Sequence, residues 1–443
     1  MDSAQREALA ERVLALSNAD QTEVTIGTED ADLTRFTHEE IHQNVARSDA
    51  GVSVRAILGL RTGTAATNVL DEDSLRATVG RAIAIAQLAP EDPDLAPLPS
   101  GGPTVTPKGA YVKATADASP QLRAGMADAI FKVAESHKFW CAGFARTQSA
   151  GFTIANSNGA RASFDGTDSG INVKMNATDS TGYGQAYSPD ATTLDAHKVA
   201  GVAASKAKNS AQPQGVEPGE WTVIMEPAAF GEFFAYLGQH FSAQAYDEGS
   251  SFLSDGLDKP YFSENVTITD DYSNPLAPSM PFDFEGQPKQ PVTLVESGVA
   301  KTFVTDSYWA KKLNRENTGH ALPAPNAYGP QAIDLIVAPG RKSFDELIAE
   351  TKRGLLISRF WYIRTVDQKK AIVTGMTRDG TFLIENGKVT GGVRNMRFNQ
   401  SIIAALGKCE FSNAPQRTGD YWFSLVVPAA KIEGFKFSSG TQF

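Results

Sequence analysis

Asn209-Ser-Ala-Gln-Pro-Gln-Gly-Val-Glu-Pro-Gly219 decides how this chain is read, because two prolines and two glycines in eleven residues sustain neither a helical stripe nor strand alternation. A helix is predicted before it, over Ala191 to Lys208, and a strand after it, at Trp221 to Met225. The boundary is therefore placed at Pro213, with one unit over 1–213 and a second over 214–443. A length of 443 residues fits two or three compact units.

Working back from the boundary, the first unit alternates helix and strand signals. Leu9, Val13 and Leu16 fall at helical spacing over Ala4 to Ser17. Glu23-Val-Thr-Ile26 reads as a strand, and Val52-Ser-Val-Arg-Ala-Ile57 as another after a turn at Asp49-Ala-Gly51. Leu75, Val79, Ile83 and Ala86 mark a helix opened by Ser74 and stopped by Pro90. The proline-rich stretch from Pro90 to Pro107 reads as an extended connector, giving subdomains 1–90 and 108–213. Ser119-Pro120 opens a helix with Leu122, Met126, Ile130 and Val133 on its buried stripe, and Asn158-Gly159 predicts a type I′ hairpin.

Working forward, Phe230, Phe233, Phe234, Leu237 and Phe241 predict one aromatic helix from Pro227, central to a core or an interface. Short strands follow, with hairpin turns at Ser297-Gly298 and Asn386-Gly387 and a capping box from Ser343 to Glu346. The expected class is α+β: an N-terminal α/β domain with a mixed sheet and helices, then a β-rich domain with antiparallel hairpins and one central helix.

The chain carries 41 Lys and Arg against 51 Asp and Glu, a formal charge of −10. That balance, with no basic stripe, argues against a protein that tracks nucleic-acid phosphates. Cys141 and Cys409 belong to no CxxC pair, so neither a zinc ribbon nor a disulfide framework is expected. Charged residues interrupt the apolar positions of Met1 to Leu16, unlike a signal peptide, and no apolar run approaches the ~20 residues of a membrane helix. A cytoplasmic location is the expectation.

His38-Glu39-Glu40-Ile41-His42 matches HExxH, a zinc-peptidase pattern when all five residues lie on one helix. Here no apolar stripe follows, and the segment runs into a strand. As extended chain, His38 and His42 would stand roughly 13 Å apart at about 3.3 Å per residue, too far to share a metal ion. The autonomous zinc peptidase built on His38, Glu39 and His42 is thus the alternative reading, decided by whether Thr37 to Val45 is helical. His137 follows a helix end, His197 lies in a predicted helix with no ligand-type partner three or four residues on, His240 stands on the aromatic helix and His320 in a loop, and no nearby histidine marks Cys409 as a nucleophile. Asp270, Asp271, Asp283 and Glu285 form the densest non-helical carboxylate group; their proline-rich setting predicts solvated loop residues.

Leu33-Thr-Arg-Phe36, Ile41-His-Gln-Asn44, Val52-Ser-Val-Arg55 and Ile154-Ala-Asn-Ser-Asn-Gly159 resemble the TldD/PmbA family, also called modulators of DNA gyrase. Gly249-Ser-Ser-Phe-Leu253, Pro281-Phe-Asp-Phe-Glu-Gly286, Asp306 to Leu313, Thr318-Gly-His-Ala321, Phe382-Leu-Ile-Glu-Asn-Gly387 and Phe435-Lys-Phe-Ser-Ser439 continue the resemblance in order. It implies a cytoplasmic zinc-dependent peptidase of paired TldD-like and TldE/PmbA-like subunits acting on unstructured peptides. In the TldD-like subunit it implies a HExxxH helix shortly before the Gly-Ser/Thr-Ser segment. Counted back from Gly249, that helix is Phe234-Ala-Tyr-Leu-Gly-Gln239: Phe234 and Gln239 stand where the histidines would be, and Ala235 where the glutamate would be. His240 is one residue out of register. The family's Cys-Gly-Lys ligand segment is also not matched, since Cys409 precedes Glu410-Phe411.

The resemblance is therefore to the TldE/PmbA-like, non-catalytic subunit, with no catalytic residue and no metal or other cofactor in this chain, and zinc in a TldD-like partner. A TldD-like subunit or a second copy of the chain, together with an unstructured peptide, are the expected partners, with neither nucleic acid nor membrane. A homodimeric peptide-binding protein without proteolytic activity is the other alternative.

Overall fold

In the computed structural model, which describes residues 1–419 and 424–441, the first sheet has six strands. They are β1 (Gln21–Thr37), β2 (Glu40–Leu58), β3 (Arg61–Thr67), β4 (Trp140–Asn156), β5 (Arg161–Asn176) and β6 (Thr181–Ser188), in the order β3-β2-β1-β4-β5-β6. Every neighbouring pair is antiparallel. The parallel pairings lie in the second half, at Ile336↔Val426 and between Leu355–Ile357 and Val223–Met225.

The turn expected at Asp49-Ala-Gly51 is absent: β2 runs straight through, with Gly51 opposite Gly27. The chain reverses at His38-Glu39, which take φ values of 51° and 56°, the left-handed pair a two-residue hairpin requires. Contacts rather than residue preference hold this turn. His38 stacks on Trp140 at 4.4 Å, and the Glu39 carboxylate accepts the Cys141 N–H at 2.9 Å. At Asn158-Gly159 only the glycine has positive φ, so the predicted type I′ turn does not form. The Asn156 side chain builds the reversal instead, accepting the N–H groups of Asn158 and Ala160.

Side chains alternate across this sheet, so its two faces have separate roles. One face packs under helices. α1 (Ser3–Ala15) and α2 (Glu72–Leu88) bury Leu9, Val13, Leu75 and Val79 against Val24, Ile26, Val52 and Val54. α3 (Pro120–His137) and α4 (Ala196–Asn209) do the same toward the other end, on Ile171 and Val173. The opposite face, with Ile154, Ala162 and Phe164, receives Met280, Phe282 and Phe284 from the second half.

In the second half, Arg353–Asp367, Gly219–Met225, Ala430–Gly440, Met396–Ser401 and Ile372–Glu385 pair in that order, and the last also pairs with the first. The pairings close a ring. Inside it sits α5 (Pro227–Phe234), whose Phe233 ring meets Phe360, Phe398 and Phe435 at centroid distances of 6.2, 6.1 and 5.7 Å. Each such aromatic contact adds to the burial of its rings. The predicted single helix is shorter than expected: after Phe234 the chain tightens into a 3₁₀ turn over Ala235–Phe241. Gly238 lies where an added Cβ would come within 2.9 Å of the Leu335 side-chain methyl, so a larger residue here would displace that leucine. Ser297-Gly298 and Asn386-Gly387 both show two positive φ values, and Ser343 and Glu346 form the expected capping box.

Candidate functional site

Because α5 is anchored by its phenylalanines, the 3₁₀ turn that follows is held at the wall of a trough of about 710 Å³. Phe234 is fully buried and faces the core. Ala235 and Gln239 line the trough, with Tyr236, Ser242, Gln244, Glu248, Gln331 and Gln368. Its lining is rich in amides, with four glutamines and a single charged residue, Glu248. Gln239 donates to the Tyr236 carbonyl at 3.3 Å, and the Tyr236 hydroxyl donates to the Ile363 carbonyl at 2.7 Å. Ser242 differs from these: its hydroxyl is buried without a hydrogen-bond partner among the described residues. A buried hydroxyl left unpaired costs roughly 1–3 kcal/mol.

Gln244, Leu322 and Ala327 also line an adjoining cleft of about 360 Å³ between the two halves of the molecule. Its inner wall is ionic. Arg55 on β2 donates to Glu23 on β1 at 2.8 Å and to Glu285 at 3.1 and 3.2 Å. The second oxygen of Glu285 accepts the Ser307 N–H. Burial pushes the Glu23 carboxyl up to about 7 against the pull of Arg55. Asp283 is pushed up to about 8, by burial and then by the charge of Glu285, although it accepts the N–H groups of Ala321, Glu285 and Gln287. Asp306, which caps the helix Ser307–Lys312, is raised by burial to about 6.

The carboxylates expected in solvated loops are therefore largely buried. Asp270 and Asp283 are 1% exposed and Glu285 7%, while Asp271 alone is partly exposed, accepting the Ser273 N–H. Asp270 faces His320 Nε2 at 3.1 Å and accepts the Asp334 N–H; beside it Lys289 meets Asp334 at 2.7 Å. The closeness of these carboxylates in sequence gives no hint of Arg55, Glu23, Lys289 and Asp334, which stand beside them in the fold. The usable signal was the apolar company, Phe282 and Phe284, that alternates with Asp283 and Glu285 and drags them inward.

Residues 38–45 form a turn and then a strand, so His38 and His42 lack the one-turn spacing of a helical HExxH pair. At the HExxxH register, a phenylalanine, an alanine and an amide supply no donor set suited to zinc. His240, one position on, is 1% exposed, with neither ring nitrogen hydrogen-bonded among the described residues, and burial lowers it to about 4. The Cys409 thiol is buried, donates to the Leu406 carbonyl and is pushed up to about 12 by burial, which keeps it a thiol. His137 Nδ1 sits 3.0 Å from the Val133 carbonyl, and His197 lies on α4. Among the described residues no group of three His, Cys, Asp or Glu side chains is placed to hold a metal ion, and no helix is long and apolar enough to cross a membrane.

Known proteins share this architecture. TldE from Thermococcus kodakarensis superposes with a TM-score of 0.88 at 21% identity, covering 98% of this chain and 99% of that one. A metalloprotease of Methanothermobacter thermautotrophicus is 28% identical over 211 residues, 45% of this chain and 44% of that protein. Metalloprotease PmbA of Escherichia coli O157:H7 is 25% identical over 225 residues, 48% and 45% of the two chains. The matched sequence thus spans less than half the length of these two relatives. The profile described as PmbA/TldA metallopeptidase domain 1 matches residues 33–86, and that described as the PmbA/TldA metallopeptidase C-terminal domain matches residues 218–439. With those two matches covering more than half of its length, the chain belongs to the PmbA/TldD metallopeptidase family.

Proposed function

We propose that this chain is a TldE/PmbA-like subunit without a catalytic zinc site, which holds unstructured peptide for a zinc-bearing TldD-like partner in the cytoplasm. The observation that carries the reading is the trough beside Ala235 and Gln239. It occupies the register at which the resemblance sets a HExxxH helix, yet it offers amides, hydroxyls and one carboxylate. Side-chain amides match the alternating donors and acceptors of a peptide backbone, and they select no particular side chain. Such a wall suits extended chain, and among the described residues it offers no set of side chains that could hold a metal ion to activate water. The formal charge of −10 supports partners other than nucleic acid.

The test is binding of a fluorescently labelled, uncharged and unstructured peptide to the purified chain, followed by anisotropy and by mass spectrometry. The peptide binds and stays intact, and Gln331→Leu together with Gln239→Leu weakens binding by about tenfold, the equivalent of one or two lost hydrogen bonds. Cleavage by the chain alone, or binding indifferent to both substitutions, contradicts the proposal.

A further inference from the structure

The cleft between the two halves carries more negative charge than it pairs. Among the described residues that line it are three carboxylates, Asp92, Glu285 and Asp306, against one cation, Arg55. Arg55 is already held by Glu23 at 2.8 Å and by Glu285 at 3.1 Å. The lysines nearby are engaged elsewhere: Lys311 Nζ donates to the carbonyls of Pro93 and Leu95, and Lys312 meets Asp247 at 2.9 Å. No cationic nitrogen of the described residues comes within 4.0 Å of Asp92 or Asp306.

Asp306 shows the imbalance most sharply. It is 7% exposed, and one oxygen of its carboxylate caps the helix Ser307–Lys312 by accepting the Trp309 N–H at 2.8 Å. No other described residue donates to this carboxylate, although it lines the cleft. Burial, and the charge of Glu285 after it, act against its ionised form. A buried carboxylate in that state is completed by a cation.

Aromatic rings finish the wall. Tyr308 and Trp309 follow Asp306 in the chain and line the same cleft, edge to face at 5.4 Å. Lys312 Nζ lies 4.4 Å over the Trp309 ring, so the helix already draws one ammonium group to its aromatic surface. A bare metal ion fits poorly here. The cleft's 360 Å³ is room for roughly a dozen waters at about 30 Å³ each, and its carboxylates do not converge as a set of metal ligands. Gln244, Leu322 and Ala327 join the cleft to the trough, so a chain lying in the trough reaches it.

We propose that the cleft binds an ammonium group of the peptide held in the trough, with Asp306 as its counter-ion and Asp92 and Tyr308 beside it. The assignment rests on the peptide reading and adds a substrate class: extended peptides that carry a lysine or a free amino terminus.

Three C-terminally labelled peptides of one uncharged sequence test it by anisotropy with the full chain. The first is N-acetylated, the second has a free amino terminus, and the third is N-acetylated with a central lysine. Salt at about 0.15 M, with a Debye length of about 8 Å, screens general attraction to an acidic protein. At least one ammonium peptide binds about tenfold more tightly than the neutral parent, and which one gains tells terminus from side chain. Asp306→Asn, which keeps a capping oxygen, brings that ratio close to one. Asp92→Asn, on the proline-rich connector, cuts it by about threefold, and decides the matter if circular dichroism shows Asp306→Asn unfolded. Glu7→Gln, exposed on α1 on the helical face of the first sheet, leaves the ratio unchanged. Equal affinity for all three peptides overturns the ammonium site and leaves the peptide reading standing. Failure of every peptide to bind overturns both. A ratio that survives the aspartate substitutions, or falls equally with Glu7→Gln, overturns the assignment to this cleft.

Discussion

The aromatic cluster around Phe233 and the ionic wall around Arg55 are both buried, but different kinds of information build them. Phe230, Phe233, Phe234, Leu237 and Phe241 announce themselves through spacing within one segment, and the ring of strands closes over them. Arg55, Glu23 and Glu285 meet across the two halves of the chain, with 230 residues between Arg55 and Glu285. The first region tolerates no gap because dispersion and burial hold it together. The second tolerates no unpaired charge, because each ion has been taken out of water.

Substitution of each region separates the two mechanisms. Arg55→Ala leaves two buried carboxylates unpaired and is expected to cost about 3–5 kcal/mol of unfolding free energy at pH 8. Phe233→Ala is expected to cost a similar amount, about 3–5 kcal/mol, through the cavity it leaves. The distinction is pH. Glu23 is held near 7 even beside Arg55, so without the guanidinium it takes up a proton readily. The Arg55→Ala deficit therefore shrinks between pH 8 and pH 5, whereas the Phe233→Ala deficit does not change. Denaturant melts of both variants at the two pH values check this, and parallel pH profiles would remove the distinction.

His240 gives a smaller effect at the border of the aromatic region. Its folded pKa, about 4, lies below the ordinary value of 6.5. The unfolded chain therefore binds the proton more readily, so the neutral imidazole's contribution is fully present above 6.5 and is lost as pH falls toward 4. Its neighbour Phe252 packs 5.5 Å away, so an aromatic replacement suits the site. His240→Phe should gain about 2 kcal/mol relative to the parent between pH 7 and pH 5. Calorimetric melts across that range measure it, and a constant difference between the two proteins would show that His240 does not titrate with unfolding.

The contrast also explains what the amino-acid sequence disclosed. Helical stripes such as Leu75-Val79 and the hairpins at Ser297-Gly298 and Asn386-Gly387 are local, and local physics suffices to read them. Asp49-Ala-Gly51 looked like a turn because composition alone favours one. In the structure Gly51 pairs with Gly27, while the stacking of His38 on Trp140 sets the reversal ten residues earlier. The buried carboxylates were misread for the same reason: their partners, Arg55, Lys289 and His320, come from other segments. Of the trough, Ala235 and Gln239 were identifiable by family register. Ser242, Gln331 and Gln368 were not, since the wall they complete exists only once three separate segments meet.

The central claim, that this chain completes a peptidase without carrying the metal, is tested most directly by the zinc content of the purified chain. After incubation with zinc and exhaustive dialysis, emission spectrometry should find no stoichiometric metal on the chain alone. In its complex with a TldD-like subunit, stoichiometric zinc should travel with that partner. Stoichiometric zinc on the isolated chain, removed by His38→Ala with His42→Ala, would contradict the account.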